Sequence, residues 1–128
     1  MSDRTLLTST RTAAGGFIAA VKTEKKIRQV VLAMGGAGVV CKFADIGYLQ
    51  IWMVLLSWLL SLICEMFNTA LEKTLDYASG KEYHPLIRQG KDYAAACTFL
   101  ALCFAGTLTL FFLWARYFGL ETEFSTQV

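Results

Sequence analysis

Three carboxylates and an amide recur along one stretch of the chain, Cys64-Glu65-Met66-Phe67-Asn68-Thr69-Ala70-Leu71-Glu72-Lys73-Thr74-Leu75-Asp76. Read as a helix at about 100° per residue, Glu72 and Asp76 fall about 20° either side of Glu65, and Asn68 about 60° from it. All four share one face, and oxygen donors on one face suit a hard divalent cation. A helix end emerging into solvent also carries acids, but it rarely gathers them in a stripe. The stretch continues directly out of an uncharged apolar run, where ionisable groups need a cation, a partner or water and are functional candidates for that reason.

The elements that must position this stripe belong to a small integral membrane protein. The chain has 128 residues, one domain's worth, with 55% hydrophobic content and a mean hydropathy of +0.48, high for a soluble domain. A net charge of +2 carries no nucleic-acid signature, and Gly35-Gly36-Ala37-Gly38 lacks the Lys-Ser/Thr that would complete a phosphate-binding loop. Cys41, Cys64, Cys97 and Cys103 show no CxxC pairing and lie in or beside apolar stretches, as small reduced apolar side chains do.

In chain order, the first segment is polar and basic and has no continuous signal-peptide core. Phe17, Ile18, Val21 and Ile27 line one side of a predicted surface helix over about 3–26, with Lys22, Lys25 and Lys26 reaching the headgroups. Val30 to Cys41 is uncharged and rich in Gly and Ala, and over about 27–45 it is long enough to span only by snorkelling. A turn is predicted near Asp45 to Tyr48, where Gly47 supplies the local breaker. Ile46 to Cys64 is 19 residues without a formal charge, and its helical pattern runs on through Asp76, predicting a helix over about 48–77 whose acidic end projects beyond the hydrocarbon. Ala78 to Gln89 reads as the connecting loop, and the third span is expected over about 90–117. The predicted fold is thus all-α, an amphipathic surface helix followed by three transmembrane helices in one domain over 1–128.

Charge asymmetry orients this arrangement. Arg4, Arg11, Lys22, Lys25, Lys26 and Arg28 precede Val30, and Lys73, Lys81, Arg88 and Lys91 lie between the second and third spans. Lys42 and Arg116 mark the opposite end. By the positive-inside rule the amino terminus and the acidic stripe face the cytoplasm, the compartment that holds ATP.

Several motifs together carry a resemblance. Glu65-x-x-Asn68-Thr69-Ala70-Leu71-Glu72-x-x-x-Asp76, then Glu82-Tyr83-His84-Pro85, then Lys91-Asp92 followed by small residues, resembles the signature of the prokaryotic diacylglycerol kinase family, which includes undecaprenol kinases. Upstream, Gly16-Phe17-x-Ala19-Ala20 and Glu24-x-x-x-Arg28-Gln29 resemble that family's amino-terminal helix, so the likeness covers nearly the whole chain.

The resemblance implies a homotrimeric helical bundle in the bacterial cytoplasmic (inner) membrane. Its activity would be transfer of the γ-phosphate of MgATP to a lipid hydroxyl at the cytoplasmic interface. It implies Glu65 as the catalytic base and Glu24 and Glu72 as magnesium ligands. Arg4, Asn68, Asp76, Glu82, Tyr83, His84, Lys91 and Asp92 would join those two glutamates around ATP, while Arg28, Gln29 and Trp114 would join Glu65 at the lipid. On their own chemistry His84 reads as a surface residue, Lys91 as a snorkelling cation, and Tyr83 and Trp114 as interfacial anchors.

Elementary chemistry is compatible with those roles. Phosphoryl transfer needs in-line positioning and charge neutralisation, which carboxylates on Mg²⁺ and a lysine on phosphates supply. Glu65 lies nearest the apolar segment and Glu72 about 10 Å further along the helix, setting the lipid hydroxyl deep and the nucleotide outside. Diacylglycerol, giving phosphatidic acid, is the expected acceptor, and undecaprenol, giving undecaprenyl phosphate, is the alternative. A non-enzymatic proton-relay or transporter subunit could use the same acids, although a relay places them nearer the bilayer midplane.

Overall fold

The computed structural model describes residues 5–119. Four helices follow one another: α1 (Leu6–Thr23), α2 (Lys25–Phe43), α3 (Tyr48–Ser79) and α4 (Pro85–Tyr117), with no strand among the described residues. α3 packs most extensively on α4 and next on α2, while α1 lies mainly against the start of α2.

Local chemistry explains each boundary. Thr5 caps α1 by accepting a hydrogen bond from the Thr8 amide at 3.3 Å. Glu24 adopts an extended conformation between α1 and α2. Across that break the Arg28 guanidinium donates to the Val21 and Lys22 carbonyls at 3.0 and 2.8 Å, satisfying acceptors that a helix end leaves open. The turn predicted near Asp45 is present, with Asp45 at φ 62°, a left-handed conformation that Asp tolerates better than most residues. Gly80 ends α3 in the same conformation, φ 63°.

The second connection is shorter than the sequence suggests. It comprises Gly80 to His84, and α4 begins at Pro85. Pro at the first helical position lacks only a donor that would be unpaired anyway, and His84 Nδ1 accepts from the Leu86 amide at 3.2 Å.

Two helices, α3 and α4, are long and apolar enough to cross a membrane. α3 has 32 residues, about 48 Å against a hydrocarbon core of about 30 Å. Its pattern is inverted relative to a soluble helix: Trp52, Leu56, Leu60 and Ile63 are exposed, whereas Gln50, Ser57, Ser61, Glu65 and Asn68 are buried. α2 does not reach the same apolar length. It lies along α3, where Ile27 and Val30 pack with Leu62, and Ala37 and Cys41 pack with Ile46 and Val54.

Side-chain bonds fix the helices at two levels. Midway along the bundle Trp58 Nε1 donates to Thr109 Oγ1 at 3.0 Å, and that hydroxyl donates in turn to the Ala105 carbonyl at 2.8 Å. At the end away from the acidic stripe, Arg116 donates to the Ala44 carbonyl and to Asp45 Oδ2, each at 3.3 Å. Thr109→Val keeps the shape at the first level but strands the indole N–H. It is expected to lower unfolding free energy in detergent by about 0.5 to 2 kcal/mol. Unchanged stability in an SDS titration would show that the indole has another acceptor.

Candidate active site

α3 delivers the stripe, and α2 and α4 cover its two ends differently. At the deeper level Glu65 is 5% exposed and lines a cavity of about 480 Å³ with Lys26 and Gln29 from α2 and Thr98 from α4. Val30, Ala33, Trp58, Phe99 and Leu102 form its apolar wall. Ser61 Oγ, Glu65 Oε1 and Asn68 Oδ1 are buried on this helix with no hydrogen-bond partner among the described residues. Buried polar atoms are nearly always paired, so three unpaired oxygens within two turns mark a place where a ligand or water completes the bonding.

A second cavity, about 240 Å³, lies where α3 turns into α4. Asp76, Glu82, Tyr83, His84 and Lys91 line it together, along with Lys81 and Arg88. Lys91 donates to Asp76 Oδ1, tying the end of α3 to the start of α4. That hydrogen bond, aided by the Lys91 charge, holds the Asp76 carboxyl below its usual range. Asp76 sits about 18 Å along α3 from Cys64, the last residue of the uncharged run, well outside the hydrocarbon.

Between these levels Asn68 Nδ2 donates to Glu72 Oε1 at 3.3 Å. Glu24 reaches α3 from the α1–α2 junction, where its Oε1 meets Lys73 Nζ at 3.0 Å, beside Thr69 and Ala70. The four-residue stripe does not form a single cage: no three His, Cys, Asp or Glu side chains converge as a metal site among the described residues. Helical rise is the reason, because it separates Glu65 from Glu72 by about 10 Å. Glu24 and Glu72 still fit Mg²⁺ by chemistry, since this ion takes one or two carboxylates and completes its shell with water and phosphate oxygens.

Other expected site residues stand elsewhere. Arg28 clamps the end of α1 through its two carbonyl contacts. Trp114 lies about 24 Å along α4 from Thr98, in tilted contact with Phe111 and Phe118 at centroid distances of 6.4 and 5.2 Å. Asp92 pairs with Arg88 at 3.3 Å on the exposed side of α4. Arg4 lies outside the described residues.

Lys26, Thr98 and Lys73 join the site without having been singled out from the sequence as site residues. Lys26 precedes Gln29 by three positions and so shares its helical face, which is the one signal that could have found it.

The Asp76–Lys91 pair gives a pH-dependent expectation. A lowered carboxyl pKa contributes stability that is fully present above the ordinary Asp value of 3.8 and is lost as pH falls through the lowered value. Lys91→Met should raise the Asp76 pKa, and the variant and parent should converge in stability in strongly acid solution. Carbon-13 NMR titration of Asp76 checks this, and an unmoved titration curve would remove Lys91 as the cause.

Comparison with known proteins bears directly on this geometry. Residues 11–113 match the family described as prokaryotic diacylglycerol kinase. The chain is 35% identical over 97 residues to the diacylglycerol kinase of Pseudomonas aeruginosa, covering 76% of this chain and 78% of that one. It is 29% identical over 102 residues to that of Helicobacter pylori strain J99, covering 80% and 75%. The same identity and length hold for the Escherichia coli K12 protein, covering 80% and 83%. The matched segment contains both cavities and every expected site residue except Arg4 and Trp114. The chain belongs to the prokaryotic diacylglycerol kinase family and is an ATP-dependent lipid kinase.

Proposed function

We propose that this kinase transfers the γ-phosphate of MgATP to the free hydroxyl of diacylglycerol, giving phosphatidic acid. The observation that carries the reading is the buried Glu65 carboxylate, with one unpaired oxygen, at a cavity whose remaining wall is largely apolar. A lipid headgroup can place its hydroxyl against that oxygen while its chains stay in the hydrocarbon. Gln29 and Thr98 add polar groups suited to the ester oxygens of a glyceride, and the relatives' names point to the same acceptor.

In the proposed reaction Glu65 accepts the hydroxyl proton as the lipid oxygen bonds to the γ-phosphorus. The bond from that phosphorus to the β–γ bridging oxygen breaks, and ADP leaves with the electron pair. Asn68 orients Glu72 through its amide, and the Asp76–Lys91 pair presents a cation at the nucleotide cavity. Glu24 and Glu72 would hold Mg²⁺, which when bound neutralises phosphate charge. Lys73 has to yield its contact with Glu24 when that happens.

The same reading includes three spans, an inner-membrane location with a cytoplasmic amino terminus, and a homotrimer. α2 supports the third span by its length, about 28 Å for 19 residues. Lys25 is at one end and Lys42 at the other, where each can snorkel. Exposed apolar side chains along α3 and α4 support contact with lipid and with other copies.

The experiment is ATP turnover by the purified protein with dioctanoylglycerol and with undecaprenol side by side. Turnover is expected with the glyceride, whereas preference for undecaprenol would replace the acceptor. In the same assay Glu72→Gln should raise the Mg²⁺ concentration needed for half-maximal rate by about tenfold or more. Unchanged magnesium dependence in both Glu24→Gln and Glu72→Gln would remove the metal assignment.

A further inference from the structure

The cavity containing Glu65 holds a cation that the reaction as written leaves without a part. Lys26, the second residue of α2, lines it with Gln29, Glu65 and Thr98. Its ammonium takes part in none of the ion pairs among the described residues, although the Glu65 carboxyl lines the same cavity. The two opposite charges line one cavity without touching, an arrangement open to a group that fits between them. A lysine serving only to snorkel would point toward the headgroups.

We propose that Lys26 binds the phosphoryl group at the acceptor hydroxyl, contacting it during transfer and holding the phosphate monoester of the product at the mouth of the cavity. The inference rests on the reading of this cavity as the acceptor site. The lipid enters with a neutral hydroxyl. Once its O–H bond has broken toward Glu65 and its oxygen has bonded to phosphorus with loss of ADP, it carries a phosphate monoester of about −1.5 to −2 charge at neutral pH.

That charge arises in a cavity with largely apolar walls, where an unpaired anion is costly, and it faces a like charge once Glu65 gives up the proton it has taken. Among the described residues Lys26 is the one cation lining this cavity. A compact ammonium with three donors suits a tetrahedral phosphate that must later leave. α2 also starts here without a side-chain cap, so the amide dipoles of its first turn add to the positive end.

The test uses the full-length protein in lipid nanodiscs and dioctanoyl phosphatidic acid as probe, with binding read by competition against dioctanoylglycerol. Lys26→Gln should weaken phosphatidic acid binding by about tenfold, the worth of a hydrogen bond to a charged group. Dioctanoylglycerol and MgATP affinities should stay within about twofold of the parent, and Lys26→Arg should restore most of the loss. A thermal unfolding curve for each variant reports folding, and Lys26→Met carries the comparison if Lys26→Gln does not fold. If the parent binds both lipids competitively and the folded uncharged variant binds phosphatidic acid as tightly as the parent, the Lys26 assignment alone is overturned. If the two lipids do not compete in the parent, the acceptor-site reading falls and the assignment with it.

Discussion

A polar face has to run the length of α3 although hydrocarbon surrounds the bundle, and the other helices are arranged to meet that constraint. Gln50, Ser57, Ser61, Glu65 and Asn68 are each less than a tenth exposed, because α2 and α4 cover the face that carries them. Unpaired polar groups in lipid are costly, so the apolar residues of α3 are turned outward instead. Ser61, Glu65 and Asn68 nevertheless keep unpaired oxygens on this face, and Glu65 lines the larger cavity. A purely structural bundle would gain stability by filling those positions with apolar side chains, and the family's lipid kinase activity supplies the reason for retaining polar ones.

Reach along α3 then separates the two cavities. Glu65 and Asp76 are about 16 Å apart along the helix axis, with Asn68 and Glu72 between them. The deep cavity has mostly apolar walls, and the outer one is lined by charged and polar groups. An acceptor lipid and a nucleotide approaching from opposite directions can meet on one helix face. The ion pairs Glu24–Lys73 and Asp76–Lys91 hold neighbouring segments against that face.

Much of this was legible from local pattern. The turn at Asp45 and the shared face of Glu65, Asn68, Glu72 and Asp76 follow from helical periodicity and breaker residues, whereas the burial of Gln50, Ser57 and Ser61 appears only in the packed bundle. Gln29 was placed near the lipid by motif, and it does line the cavity with Glu65. What the sequence concealed depends on contacts between helices. Arg28 shares the motif with Gln29, but its long side chain folds back onto α1 carbonyls. Lys26 read as a headgroup contact, because nothing local reveals that α2 brings it to the cavity of Glu65. The start of α4 at Pro85 was hidden because Ala78 to Gln89 read as one loop, whereas Pro fits the first position of a helix.

The central claim is that Glu65 accepts the acceptor's proton while Glu72 serves the nucleotide and its metal. Steady-state kinetics of Glu65→Gln in nanodiscs, with Mg²⁺ and ATP both saturating, test it most directly. Loss of a general base predicts kcat lower by roughly 10²- to 10⁴-fold, about 3 to 5 kcal/mol at the transition state, with MgATP affinity unchanged. A near-normal kcat in a folded Glu65→Gln protein would contradict the account and move the proton acceptor to another residue.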